Sequence, residues 1–244
     1  MLCINNISKS FSGNIILSDI SFCVPLNKVI GIIGPSGCGK STLLNIMAHL
    51  DKQDTGSLDI PSNNSLLLGY MMQDALLLPW RTLEENALLG VEVVREGYNN
   101  KAKLLDYFFE AFDLSGFKKS YPSESSAGMK QRVALIRTLL LQPSLLLLDE
   151  PFSNLDFDIK LKIQRNLIGY QKQRKTSVFL VTHDIDDAIA LCDTVVVLSD
   201  KPTKVKSILS IKLGTLNSDP VEARKSPMFR EYFIRIWDEL KYLK

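Results

Sequence analysis

The stretch Gly34-Pro-Ser-Gly-Cys-Gly-Lys-Ser-Thr42 decides the fold of this chain. It matches the phosphate-loop pattern G-x-x-x-x-G-K-[ST], with Gly34, Gly39, Lys40 and Ser41 at the fixed positions. Glycines let the backbone curl until consecutive N–H groups point inward, and the lysine adds a cation for the β- and γ-phosphates. The serine hydroxyl is suited to Mg²⁺, and the following helix directs its positive end at the phosphates.

The segments on either side of the loop complete this motif. Val29–Ile33 is a short apolar, β-branched run typical of a buried strand, and Ser41–Ala48 has the pattern of a helix. A glycine-rich turn that holds no phosphate is the alternative, but it would not need this strand and this helix around it. The sequence therefore predicts that the chain binds a nucleoside triphosphate.

Composition limits the class of protein. A chain of 244 residues lies at the upper end of single-domain size, which predicts one large α/β core with a subdomain. The 29 basic and 27 acidic residues leave a net charge of only +2. That balance predicts no nucleic acid partner.

The targeting and cysteine patterns bear on the compartment. We expect no signal peptide, and no apolar run reaches the roughly 20 residues that span a bilayer. The nearest candidate, Val133–Leu148, is interrupted by Arg137, Gln142 and Pro143. The cysteines show neither metal nor disulfide spacing, which favours a reducing cytoplasm; they are Cys3, Cys23, Cys38 and Cys192. Any membrane role is therefore expected to be peripheral and to run through a partner.

Apolar periodicity predicts the remaining elements. Residues 2–30 are expected to form small antiparallel strands, Leu66–Met72 a further strand, and Leu83–Phe117 helices. Gly128–Leu141 is predicted as a helix that Pro143 ends. Buried parallel strands are expected at Leu145–Leu148, Val178–Val181 and Val195–Leu198. In Met228–Leu243, a terminal helix is predicted to pack one face on the core, with Phe229, Phe233, Ile236, Trp237 and Leu240 on that face.

Two carboxylates follow the apolar run Leu145–Leu148. They are expected at the carboxyl edge of the sheet, where α/β folds bind ligands. Asp149 is suited to hold Mg²⁺, mostly through water, and Glu150 to orient and deprotonate an attacking water. Adjacent acidic residues are common on surfaces, but a pair directly after four leucines is not the usual surface pair.

Two further polar residues, His183 and Gln73, stand at positions suited to nucleotide chemistry. His183 follows the strand Val178–Val181 and is expected at the same sheet edge, able to donate a hydrogen bond to a γ-phosphate. Gln73 follows the strand Leu66–Met72, where its side chain could ligate Mg²⁺. A lone histidine is more often structural, and His49 is predicted to serve as a C-terminal helix cap.

Taken together, these residues resemble an ATP-binding-cassette (ABC) ATPase from about Ile4 to Leu240. Gly34–Thr42 is similar to the Walker A loop, Leu145–Glu150 to the Walker B strand, Gln73 to the Q-loop glutamine and His183 to the switch histidine. Ser153–Asp156 resembles the D-loop, with Asp156 as its acidic residue, and Phe11 the aromatic residue that stacks on adenine. The resemblance implies as ATP-binding residues Phe11, Gly34, Ser36, Gly37, Cys38, Gly39, Lys40, Ser41, Thr42 and Gln73. It implies Ser41, Gln73 and Asp149 as metal ligands, and Glu150 and His183 as catalytic residues.

The signature segment departs from the family pattern. Ser125–Met129 corresponds to the usual Leu-Ser-Gly-Gly-Gln/Met and is followed by Lys-Gln-Arg. Ser126 and Gly128 are kept, whereas Ser125 replaces an apolar residue and Ala127 replaces a glycine. In the family, this segment caps the γ-phosphate of the opposite subunit, so the resemblance assigns that role to Ser126, Ala127, Gly128 and Met129. The methyl group of Ala127 is expected to hinder or slow closure. There are two smaller departures. Asn154 replaces the alanine that is common in the D-loop, and His49 replaces the glycine that usually ends the helix after the Walker A loop.

The resemblance also implies a fold and a domain organisation. The fold class is α/β: a P-loop NTPase (RecA-like) core with a small antiparallel β subdomain and an inserted α-helical subdomain. One ABC ATPase domain is expected over 1–244, with the core at about 1–73 and 143–215. The helical subdomain is expected at about 74–142, and a C-terminal helical tail at about 220–244.

Leu76–Trp80, just after Gln73, resembles the importer branch for nitrate, sulfonate and taurine-type solutes. The function implied is that of an ATPase subunit at the cytoplasmic face of the membrane, using ATP and Mg²⁺. Its expected partners are a second ATPase subunit and integral membrane permease subunits, with a solute-binding protein acting indirectly. A weakly hydrolysing nucleotide-gated module and a non-transport cassette ATPase acting on ribosomes or DNA are the alternatives.

Overall fold

The phosphate loop lies between a buried strand and a helix, as its flanking residues predict. The computed structural model describes residues 1–60, 67–94, 101–214 and 219–241. Its strands are β1 (Leu2–Phe11), β2 (Asn14–Val24), β3 (Val29–Ile33), β4 (Thr55–Asp59), β5 (Leu68–Met71), β6 (Leu145–Asp149), β7 (Ser177–Val181), β8 (Thr194–Leu198) and β9 (Val205–Ser210). Its α-helices are α1 (Lys40–Met47), α2 (Leu83–Val94), α3 (Lys101–Ala111), α4 (Ala127–Leu140), α5 (Phe157–Arg174), α6 (Ile185–Leu191), α7 (Pro220–Arg224) and α8 (Pro227–Lys241).

A central sheet with the strand order β5-β6-β7-β3-β8-β9 carries the loop. Its first five strands are parallel, and β9 pairs antiparallel with β8 at the edge. In β6, Leu145 and Leu147 join one apolar core, whereas Leu146 and Leu148 join another on the opposite face. Every residue of β6 is buried because both faces of the sheet are covered. The three apolar runs predicted as buried parallel strands are thus confirmed as β6, β7 and β8.

A second, antiparallel sheet with the order β2-β1-β4 shares one of these cores with α1. The antiparallel strands predicted within residues 2–30 are therefore confirmed, although β1 and β2 are long, at 10 and 11 residues. Ser12 and Gly13 join them in a tight hairpin, with left-handed φ angles of 49° and 81°. Phe11, the last residue of β1, is 44% exposed beside this turn.

Cys3 and Cys23 correct the prediction made from cysteine spacing. The register of β1 and β2 places these residues opposite each other, with Cα atoms 4.1 Å apart, and their sulfur atoms form a disulfide. Linear spacing could not reveal the pair, because it depends on the register of two strands. Cys38 and Cys192 are free and buried. The expectation that no cysteines pair was wrong, and the cysteine pattern no longer supports a reducing compartment.

The chain between β5 and β6 is largely helical. The predicted helical stretch Leu83–Phe117 contains α2, α3 and a short 3₁₀ turn at Ser115–Phe117, while 95–100 lie outside the described residues. The helix predicted at Gly128–Leu141 is α4, which Pro143 follows. Leu66, the start of the strand predicted before this region, also lies outside the described residues. The helices pack on the sheet face that carries Leu146 and Leu148.

The terminal helix α8 partly corrects its predicted packing. Phe229 and Ile236 are buried in the core, and Phe233 and Leu240 pack against it. Trp237, predicted on the same face, is 51% exposed and stacks on Phe233 with ring centroids 6.2 Å apart. The last residues predicted in this helix, 242–244, lie outside the described residues. In the part of the chain that the structure describes, no helix combines the length and apolarity needed to cross a bilayer.

His49 ends α1 through its backbone. The His49 N–H donates to the Ile46 carbonyl at 3.0 Å, and the Leu50 N–H donates to the Asn45 carbonyl at 2.9 Å. This pair of bonds is a Schellman motif, which places residue 49 at the position that favours a left-handed backbone. His49 has φ 56°. The residue predicted as a C-terminal cap therefore stands where glycine is conformationally preferred.

Replacing His49 with glycine is expected to raise the free energy of unfolding by about 0.5–1 kcal/mol, because a side chain in this conformation is strained. Chemical denaturation of both proteins measures the change. His49→Ala is the matched control, since it removes the imidazole but keeps a Cβ atom. An equal gain from alanine would show that the imidazole, rather than the backbone conformation, is responsible.

Candidate functional site

A cleft of about 220 Å³ opens at the carboxyl edge of the central sheet. Three separate segments meet there, and the residues that line it are Ser36, Gly37, Gly39, Lys40, Ser41, Thr42, Gln73, Asp149 and Glu150. All nine were predicted from the sequence as site residues. Of the predicted loop residues, Gly34 and Cys38 do not line the cleft.

The loop itself is tightly folded around Lys40. The Lys40 ammonium donates to the carbonyls of Gly34 at 2.9 Å and Pro35 at 2.8 Å. Gly39 has φ 114°, and a Cβ atom there would lie 2.7 Å from Cγ2 of Ile16 on β2. Only glycine fits a position that is both left-handed and this crowded. The antiparallel sheet thus packs against one side of the loop, and the cleft lies on the other side.

A missed residue also fixes the loop. Thr203 is fully buried, and its hydroxyl donates to the main-chain carbonyl of Cys38. The residues around Thr203 contain no phosphate-binding pattern, so its position beside the loop could not be anticipated from the sequence.

Asp149 and Ser41 bring two oxygen ligands together. Asp149 ends β6 and is 3% exposed, and its carboxylate accepts a hydrogen bond from the Ser41 hydroxyl. Burial raises the pKa of Asp149 above its ordinary value, and the bond from Ser41 and the charge of Lys40 oppose that rise. Hydroxyl and carboxylate oxygens are ligands that Mg²⁺ prefers. The donor set therefore fits Mg²⁺ at this point of the cleft.

Glu150 has a constrained backbone and a largely buried carboxylate. Its φ is 52°, its N–H donates to the Val181 carbonyl at 3.0 Å, and its side chain is 12% exposed. Oε2 lies 2.7 Å from Nδ1 of His183. Burial raises the pKa of Glu150, and the hydrogen bond from His183 opposes the rise. A carboxylate so placed can accept a proton from a water molecule in the cleft.

His183 does not line the cleft, but it contacts Glu150, which does. An ion-pair network holds the residues that follow His183. The His183 side chain is 70% exposed. Asp184 caps α6 and pairs with Lys160 at 2.7 Å, and Lys160 also pairs with Asp187 at 2.7 Å. Asp187 is 2% exposed and receives the Arg224 guanidinium at 2.9 Å. Because these partners satisfy the buried carboxylate of Asp187, they fix the start of α6 directly after His183.

Gln73 lines the cleft, and the main chain just after it is held by a side chain of α4. Arg137 on α4 donates to the carbonyls of Ala75 at 2.7 Å and Leu76 at 3.0 Å. Leu76 itself has φ 45° and is 60% exposed. Arg137 is a second residue whose role the sequence did not reveal, because its acceptors are main-chain atoms 61 and 62 positions away.

The signature segment begins α4 and lies outside the cleft of its own chain. Ser126 is the N-cap, and its hydroxyl oxygen accepts from the Met129 N–H at 3.2 Å. Ser126 and Ala127 are exposed. A Cβ atom on Gly128 would lie 2.6 Å from the Asn154 carbonyl oxygen, so only glycine permits this contact between helix and loop.

Two predicted site residues stand apart from the others. Asp156 precedes α5 at its N-cap position, without a capping hydrogen bond from its side chain. Phe11 lies at the exposed hairpin end, where the Lys9 ammonium is 5.0 Å from its ring centroid. Neither residue lines the cleft.

The fold and the cleft together define a P-loop nucleotide-binding protein. The ABC transporter family matches residues 17–153 of the chain. The chain is 42% identical over 231 residues to "Uncharacterized ABC transporter ATP-binding protein YtlC" of Bacillus subtilis (strain 168), covering 93% of this chain and 88% of the relative. It is 40% identical over 219 residues to "Aliphatic sulfonates import ATP-binding protein SsuB" of Bacillus anthracis, covering 86% of each chain.

Among solved structures, the chain is similar to the dimeric post-hydrolysis state of the ATP-binding cassette MJ0796 bound to ADP and Pi. The TM-score is 0.77 at 27% identity, and the match covers 87% of this chain and 99% of that chain. The protein belongs to the ABC transporter family and is an ATPase of that family. The predicted fold class, a P-loop NTPase core with antiparallel β and α-helical parts, is confirmed.

Proposed function

We propose that this ATPase powers the uptake of a small organic anion of the aliphatic sulfonate class, as one subunit of an importer. The observation that carries the proposal is the similarity to relatives named for aliphatic sulfonate import, at 40% identity over 219 residues for one of them. The segment Leu76–Trp80, which resembles the same branch, supports it. Nitrate and other small metabolites are the neighbouring possibilities within that branch.

Within the cleft, each residue has a proposed task. Lys40 and the loop N–H groups hold the β- and γ-phosphates. Ser41, Asp149 and Gln73 would hold Mg²⁺, which would supply positive charge beside those phosphates. Glu150 accepts a proton from the attacking water, and His183 donates a hydrogen bond to the γ-phosphate. Phe11 stacks on the adenine.

The signature requires a second subunit. Ser126–Met129 do not line the cleft of their own chain, so we propose that they cap the nucleotide of a partner in a head-to-tail dimer. The N-terminus of α4 is exposed at Ser126 and Ala127, and a helix N-terminus with a serine hydroxyl is chemically suited to a phosphate. ATP then favours the closed dimer because both halves contact it, and hydrolysis reopens it. The dimeric assembly of the MJ0796 cassette supports this arrangement.

The exposed side chains of Leu76 and Trp80, together with an apolar groove, are the proposed docking surface for the membrane permease. Trp80 is 71% exposed and Leu76 is 60% exposed. A neighbouring groove of about 350 Å³ is lined by Leu67, Leu68, Tyr70, Leu89, Gly90, Val93, Val94, Arg137, Thr138 and Leu141. A short amphipathic helix of a permease would bury this surface. The subunit would then lie at the cytoplasmic face of the membrane without entering it.

The function is tested by turnover and by transport. Mg²⁺-dependent ATP hydrolysis by the purified chain should rise more than linearly with protein concentration, because the active form is a dimer. In cells, uptake of an alkanesulfonate should require the chain and fail with Glu150→Gln. Turnover without sulfonate uptake would retain the ATPase and reject the solute class. Tight ATP binding without turnover, alone or with a permease, would instead favour the nucleotide-gated module.

Ala127→Gly is expected to preserve or raise ATP turnover, since a methyl group on the exposed start of α4 hinders contact with a phosphate. The maximal rate of Mg²⁺-ATP hydrolysis measures this. Ala102, an exposed alanine in the first turn of α3 that does not line the cleft, provides the control substitution Ala102→Gly, which should leave the rate per folded molecule unchanged. A clear fall in rate with Ala127→Gly would show that the segment is adapted to alanine.

The pH dependence of turnover tests the role of Glu150. A base must be ionised, so the rate should fall as pH decreases through the raised pKa of Glu150, above the usual value of about 4.3 for a glutamate. His183→Ala removes the hydrogen bond that lowers the Glu150 pKa, so the acid limb should move to higher pH. The readout is the position of the limb in a profile of kcat. Limbs at the same pH in both proteins would exclude Glu150 as the titrating base.

A further inference from the structure

Gln131 is a buried polar side chain to which the proposed function assigns no task. It lies on α4 and is 2% exposed. Its Nε2 donates to the Glu150 carbonyl oxygen at 2.7 Å and to Ser153 Oγ at 3.1 Å. Its Oε1 accepts from the Asn154 N–H at 3.0 Å. Both the amide nitrogen and the amide oxygen are therefore engaged, and every partner lies just after β6.

These bonds act on a backbone that needs support. Glu150 has φ 52°, and a non-glycine residue in the left-handed region persists only where its surroundings hold it. The Glu150 carbonyl oxygen accepts from Gln131 Nε2 and from Ser153 Oγ, the latter at 3.1 Å. The backbone conformation of Glu150 sets the direction in which its side chain leaves the main chain. Because Gln131 holds that backbone, it influences where the carboxylate that contacts His183 lies.

Gln131 also belongs to the helix that starts with the signature. Gly128 and Gln131 are three residues apart, so they lie on the same face of α4. Gly128 approaches the Asn154 carbonyl, and Gln131 binds the Asn154 N–H and the Glu150 carbonyl. One face of the first turns of α4 therefore contacts Glu150, Ser153 and Asn154.

We propose that Gln131 is a positioning residue that ties the orientation of Glu150 to α4. Hydrolysis in one subunit then depends on where that subunit's α4 lies, and the start of the same helix caps the partner's nucleotide. Gln131 touches neither nucleotide. The inference rests on the proposed function, since it takes Glu150 as the base and Ser126–Met129 as the cap.

A matched pair of substitutions tests the inference. Gln171, on α5 and 6% exposed, is a second buried glutamine, and its Nε2 donates to the main-chain carbonyls of Asn27 at 2.8 Å and Thr176 at 3.1 Å. Gln131→Met removes three side-chain hydrogen bonds and Gln171→Met removes two, so both should lower the midpoint of unfolding. Only Gln131→Met should lower kcat per folded molecule, by about 10- to 100-fold with KM within about threefold, because it misplaces the base.

Two further measurements keep the test decisive. Gln131→Glu retains an acceptor for the Asn154 N–H but not the donor to Glu150, so it should fold and still lose kcat. The second measurement does not need activity. The chain has two histidines, His49 and His183, so their imidazole NMR signals can be assigned readily. Gln131→Met should shift the His183 signal and leave that of His49, while Gln171→Met should shift neither.

The outcomes separate the inference from the proposed function. Equal kcat in the two methionine variants, with an unmoved His183 signal, would overturn the role of Gln131 while leaving the ATPase intact. If the wild-type chain shows no Mg²⁺-dependent turnover, either alone or with a permease, the proposed function fails on its own. In that case the His183 signal alone decides whether Gln131 positions Glu150.

Discussion

Replacing Glu150 with glutamine is expected to lower the rate of ATP hydrolysis by about 100- to 10,000-fold while leaving ATP affinity within about threefold of wild type. The amide keeps the size of the side chain and can still contact His183, but it cannot accept a proton from water. The phosphate contacts proposed for Lys40 and the loop are unchanged. Single-turnover hydrolysis and equilibrium binding of ATP measure the two quantities separately.

Glu110→Gln is the matched control for charge. Glu110 is exposed on α3, away from the cleft, so the same change there should leave turnover unaffected. An unchanged rate with Glu150→Gln would remove Glu150 as the base. A large loss of ATP affinity would show that its carboxylate supports binding rather than chemistry.

Gly128→Ala is expected to slow ATP turnover by at least about tenfold and to lower the free energy of unfolding by about 1–3 kcal/mol. A Cβ atom 2.6 Å from the Asn154 carbonyl oxygen cannot be accommodated, and the obstacle is main chain rather than a flexible side chain. Either α4 or residues 150–154 must therefore move. Both carry parts of the proposed mechanism, so turnover and denaturation should change together.

Gly169→Ala supplies the control for a glycine in a helix. Gly169 lies on α5, and a Cβ atom there would meet no atom within 4 Å. Alanine should accordingly raise the free energy of unfolding by about 0.5–1 kcal/mol and leave turnover unchanged. Wild-type turnover in Gly128→Ala would mean that the close contact between helix and loop is not needed for hydrolysis.

The features that the sequence predicted well are local. The glycines and lysine of residues 34–42 specify one loop by their spacing. The run Leu145–Leu148 predicts a strand covered on both faces, and Asp149 and Glu150 follow it directly. Their meeting in one cleft with Lys40 then follows from the rule that parallel strands present their carboxyl ends at a common edge.

The features that escaped prediction depend on distant partners. The Cys3–Cys23 pair requires the register of two strands, which spacing along the chain does not encode. Gln131 was visible only as a polar residue within a predicted helix, and its acceptors and donor lie 19 to 23 positions away. Trp237 has helical spacing with the buried residues of α8, yet it lies at the edge of that face, where no further layer of the protein covers it within the described residues.

Arg224 determines where the C-terminal part of the chain can be truncated or fused without disturbing the nucleotide site. It lies on α7, after the last strand, yet its guanidinium is a counter-charge for Asp187, four residues beyond His183. A chain that ends before α7 would lack Arg224, so the buried carboxylate of Asp187 would lose one of its cationic partners. A label or fusion partner joined after α8 would leave that ion pair whole. The C-terminal segment thus supports the nucleotide site from a distance, and a truncation at the last strand would remove that support.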